Sequence, residues 1–164
     1  MNHVQDGPSP DTLPAMELKI GKDTLIALAA VGWADGTMAP EEAAGIRAAA
    51  RQLSLTSADA EAVEEAIKSR VDMTEVETIR MDRIARLFTY AAASWIATVD
   101  GKVTAEEQGA LKVLGDRLGL SAVARERAQT VGLAVGQVSS SIEAYDLVKL
   151  KSRLSTGLSQ IGNE

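Results

Sequence analysis

The 164-residue chain has no cysteine and a single histidine. The first absence excludes disulfides, thiolate metal sites and thiol redox chemistry. The histidine, His3, lies in a polar stretch near the start. That leaves no imidazole for a Ser–His–Asp arrangement or for general-base chemistry. Aromatic residues make up only 3% of the chain against 46% hydrophobic residues, so its core must be built mainly from Ala, Leu, Ile and Val. Alanine favours helix strongly. No apolar run reaches the roughly 20 residues of a membrane span. No stretch alternates polar and β-branched residues as a strand would, and no glycine loop of phosphate-cradling type is present. The net charge of -6 argues against general nucleic-acid affinity and is compatible with divalent cations or basic partner surfaces.

The length suits one domain. Residues 1–16 carry Pro, Ser, Gly and Asp and read as a flexible tail. This start lacks the basic and apolar regions of a secretory signal, so a cytoplasmic protein is expected. Residues 17–164 are expected to form a single helical domain.

An internal repeat organises that domain. Residues 28–55, LAAVGWADGTMAPEEAAGIRAAARQLSL, align without gaps on residues 93–120, ASWIATVDGKVTAEEQGALKVLGDRLGL, at an offset of 65. Asp35 matches Asp100, Gly36 matches Gly101, and Glu41 and Glu42 match Glu106 and Glu107. Leu53 and Leu55 match Leu118 and Leu120. Each copy reads as a helix, a tight acidic turn and a second helix, with units at about 23–56 and 82–121. Ile84, Leu87, Phe88, Ala91, Ala92, Trp95, Ile96 and Val99 make a stripe of helical period before the second turn. Ala27, Ala29, Ala30 and Gly32 make the corresponding helix of the first copy rich in small residues. Ala27, Ala30, Ala92 and Ala93 are expected in the core.

Pro40 suits the first turn of a helix. Thr104 with Glu107, Thr74 with Glu77 and Ser140 with Glu143 have capping-box spacing. Gly119 suits a helix end. Further helices are expected over about 58–70, 121–134 and 141–158. The fold expected is all-α: a compact bundle of about seven helices built from two pseudo-symmetric helix–acidic turn–helix repeats. Trp33 and Trp95 read as core residues. Arg80, Arg83 and Arg86 read as a solvated basic face.

The shared motif is D-G-x-h-x-x-E-E, h being apolar. It has a structural reading: Asp35 and Asp100 bond backbone N–H groups of their own turns. Gly36 and Gly101 supply an unusual backbone angle. Met38 and Val103 plug the turns into the core, and the glutamates sit at helix N-termini, where negative charge is stabilised. It also has a functional reading, an oxygen-ligand site for a hard cation such as Ca²⁺ or Mg²⁺, with Asp35, Glu41, Glu42, Asp100, Glu106 and Glu107 as candidate ligands. The motif resembles the second half of an EF-hand loop. The first two ligand positions of such a loop would fall on Val31 and Trp33, and on Ile96 and Thr98, which excludes a normal EF-hand site.

Two helix–DGxhxxEE–helix units with Ala-rich cores resemble the TerB-like family, named after a tellurite-resistance protein; a similar domain occurs in DjlA-type membrane-anchored co-chaperones. The resemblance covers roughly residues 20–160 and is carried by Asp35, Gly36, Glu41, Glu42, Asp100, Gly101, Glu106 and Glu107. It implies a compact helical bundle, an association with tellurite and other chemical stress, and metal binding at the acidic positions. The expected function is therefore a stress-associated, non-enzymatic module that binds a divalent cation weakly and works beside partner proteins, without nucleic-acid binding or membrane insertion. The competing reading is a structural protein–protein interaction domain in which the acidic turns only cap helices.

Overall fold

A computed structural model describes the backbone of residues 20–161 and the side chains of residues 20–156. The expected tail and His3 lie outside the described residues. Those described are all-helical, with no strand: α1 Lys22–Gly32, α2 Pro40–Gln52, α3 Ser57–Lys68, α4 Arg83–Ile96, α5 Ala105–Arg117, α6 Ala122–Val138 and α7 Leu147–Ile161. Short 3₁₀ turns span Met73–Glu75 and Ile142–Ala144. Among the described residues no helix is long and apolar enough to cross a membrane.

The bundle is organised around α4. Every residue from Leu87 to Ile96 is buried, on all sides of the helix, as expected for a helix enclosed by others. It packs most extensively against α6 and α1, and also against α7, α5 and α2. Small residues permit the close approach. Ala91, Ala92 and Ala93 are fully enclosed. Opposite them, a Cβ added to Gly132 of α6 would fall on the Ala91 carbonyl oxygen. Ala27, Ala30, Ala92 and Ala93 are all in the core, as the sequence suggested. Where α1 crosses α4, the hydroxyls of Thr24 and Thr89 bond each other at 2.7 Å in the interior. Each satisfies the other, so neither is left unpaired in an apolar setting.

Local signals set most helix boundaries. Thr56, Asp82, Ser121 and Thr104 cap α3, α4, α6 and α5 by accepting a backbone N–H three residues on. Gly119, at φ 69°, ends α5 in a Schellman arrangement, with Leu120 N–H donating to the Gly115 carbonyl at 3.1 Å.

Several expectations are corrected. The helix expected over 141–158 is broken: Tyr145, at ψ 123°, leaves the helical region between the 3₁₀ turn and α7. The break lets the Tyr145 ring enter the core, stack on Trp95 with centroids 3.8 Å apart, and donate its hydroxyl to the Gly132 carbonyl at 2.8 Å. Gln52 holds the break from α2, donating to the Tyr145 carbonyl and accepting the Leu147 N–H. Asp146 then starts α7 by accepting the Lys149 N–H. The box expected at Thr74 and Glu77 sits instead at Asp72 and Glu75 around the 3₁₀ turn, and Ser140–Glu143 makes no side-chain cap. Arg83 and Arg86 are not part of a solvated face: Nε and Nη2 of Arg83 are buried without a hydrogen-bond partner, and the Arg86 guanidinium donates to the carbonyls of Met81, Thr78 and Leu118 and ties α4 to the end of α5.

Candidate functional site: two acidic turns

The two turns use the same local devices. Gly36 and Gly101 have φ of 95° and 91°, in the region that side-chain-bearing residues resist. Asp35 Oδ1 accepts the Thr37 N–H at 3.1 Å, and Asp100 Oδ1 accepts the Lys102 N–H at 3.2 Å. These are the expected Asx-turns. The apolar position differs: Met38 packs against Gly32, whereas Val103 is 39% exposed and does not plug its turn into the core.

The glutamates separate sharply. Glu41 and Glu106 face solvent. Glu42 and Glu107 are each only 1% exposed. Each sits at the third position of its helix and turns back over the helix start. Glu42 Oε1 accepts the Ala39 N–H at 3.1 Å, and Glu107 Oε1 accepts the Thr104 N–H at 3.0 Å. In the second copy Thr104 returns the bond, its Oγ1 accepting the Glu107 N–H; Ala39 has no oxygen with which to do so.

The two buried carboxyls lie close enough for Glu107 to raise the Glu42 carboxyl's proton affinity. Glu42 Oε2 is enclosed and faces no donor. Ionised carboxylates only accept, so two facing each other have no hydrogen bond to make unless one carries a proton. Burial pushes the Glu42 carboxyl up to about 9, aided by the hydrogen bond to Glu107 and by the negative charges of Glu107 and Asp100; the Ala39 N–H acts in the opposite direction. A proton on Glu42, donated to Glu107, would supply the missing bond. So would a cation, which would replace that proton.

Of the six candidate ligands the fold thus brings Glu42 and Glu107 together, with Asp100 close enough to act on Glu42. Asp35, Glu41 and Glu106 are exposed. Among the described residues no group of three or more His, Cys, Asp or Glu side chains converges to hold a metal ion. The orphaned Glu42 oxygen and the Glu107 carboxyl could offer a hard cation two ligands; water or backbone carbonyls would have to complete the shell.

The sequence carried a signal for this selection that the motif alone hides. Glu42, Ile46 and Ala49 are spaced i, i+4, i+7, as are Glu107, Leu111 and Leu114. Both glutamates therefore lie on the buried stripe of their helix, while Glu41 and Glu106 fall beside it. The tryptophans are structural: Trp33 Nε1 donates to the Ala66 carbonyl at 2.8 Å, and Trp95 stacks on Tyr145. Comparison with family models, with curated proteins and with solved structures gives no match for this chain.

Proposed function

We propose that this chain is a stress-associated, non-enzymatic module of TerB-like type. Its two acidic turns converge on one weak site for a hard divalent cation such as Ca²⁺ or Mg²⁺, with Glu42 and Glu107 as the protein's ligands. The observation that carries this reading is the Glu42 Oε2 atom, buried beside a second carboxyl and facing no donor. Buried polar atoms are rarely left so, and each one calls for an explanation. The site would be symmetric in origin: Thr24 bonds Thr89, 65 residues on, and Glu42 is influenced by Glu107, also 65 residues on, as positions near a pseudo-two-fold axis would be. The working setting is the cytoplasm, beside partner proteins.

With few ligands and a proton to displace, affinity would be low, roughly in the 10⁻⁴–10⁻³ M range of weak calcium modules. Calorimetric titration of the protein with Ca²⁺, Mg²⁺ and Mn²⁺ at pH 8 is the test. Binding accompanied by proton release, and lost in Glu42→Gln, is the expected result. No heat with any of the three at millimolar concentration would overturn the cation reading. The second reading, a structural interaction domain, is favoured by the caps: Oε1 of each glutamate is already committed to its own helix start. It expects no cation response at all.

A further inference from the structure

We draw no further inference here: the strongest candidate, the open, uncharged cleft of about 480 Å³ where α4 and α6 end, walled by the apolar Trp95, Val99, Leu133 and Ile142 and the polar Gln137 and Ser139, has nothing in the structure to say what covers it.

Discussion

The two helix–turn–helix units share a motif but solve the same local problems with different residues. The second unit is locally well made. Thr104 and Glu107 form a reciprocal capping box, and Gly119 takes the left-handed position that ends α5. In the first unit the equivalent residues are Ala39, which offers no cap oxygen, and Ser54, which is forced to φ 54°. Glycine also shifts by one position. Gly45 lies where a Cβ would meet Ile96 Cδ1 at 2.9 Å and Trp95 Cη2 at 3.1 Å, while Gly109 has nothing within 4 Å. Their partners in the repeat are Ala110 and Ala44. The first unit therefore spends its glycine on tertiary packing and leans on the rest of the bundle for its helix ends. The Asx-turn, its positive-φ glycine and the buried glutamate are the features both units keep.

Substitutions at matched positions would sharpen or break this contrast. The largest effect is expected at Gly45→Ala, which overpacks the contact with Trp95 and Ile96 and should cost about 1–3 kcal/mol in chemical denaturation. Gly109→Ala, on the exposed face of α5, should instead gain up to about 1 kcal/mol. Equal effects at the two sites would mean that the packing difference does not govern stability.

Caps come next. Thr104→Ala should cost about 1 kcal/mol by removing one bond of the capping box. Ala39→Thr should return a similar amount to the first unit, since Ala39 already has the extended backbone of a cap residue, at φ -66° and ψ 146°. A loss of stability in Ala39→Thr, read from the urea midpoint, would show that the first turn does not have room for the missing cap.

The smallest effect concerns the helix ends. Ser54→Gly should raise stability by roughly 0.5–1 kcal/mol, because glycine adopts a left-handed angle without the Cβ penalty. Gly119→Ser should lose a comparable amount. Melting curves of both variants that shift in the same direction would contradict the assignment.

The sequence made much of the fold legible. The repeat, the stripe from Ile84 to Val99 and the glycines at 36, 101 and 119 fix the helices and turns through period and backbone geometry, which are local properties. The break at Tyr145 was hidden because it is made by distant partners: Trp95, Gly132 and Gln52 hold the ring, hydroxyl and carbonyl. Arg86 was hidden for the same reason, since the carbonyl of Leu118 lies 32 residues away in sequence. For the site, the motif supplied six acids, and only their place relative to Ile46 and Leu111 tells which two turn inward. That those two would meet each other is a tertiary fact with no local signature.

The central claim is that Glu42 and Glu107 share one buried proton in the absence of a cation. The measurement that tests it most directly is thermal stability from pH 5 to pH 9 in metal-free buffer, for the wild type and Glu42→Gln. The Glu42 carboxyl stands at about 9 in the fold against an ordinary 4.5. Well below pH 4.5 folded and unfolded chains both hold the proton, and its stabilisation is fully present. Between the two values only the folded chain holds it, so unfolding releases a proton and stability falls as pH rises, by at most about 1.4 kcal/mol per pH unit. The fall levels off above about pH 9. Glu42→Gln keeps an N–H donor toward Glu107 and should remove this part of the slope. Parallel pH profiles for the wild type and Glu42→Gln would contradict the account.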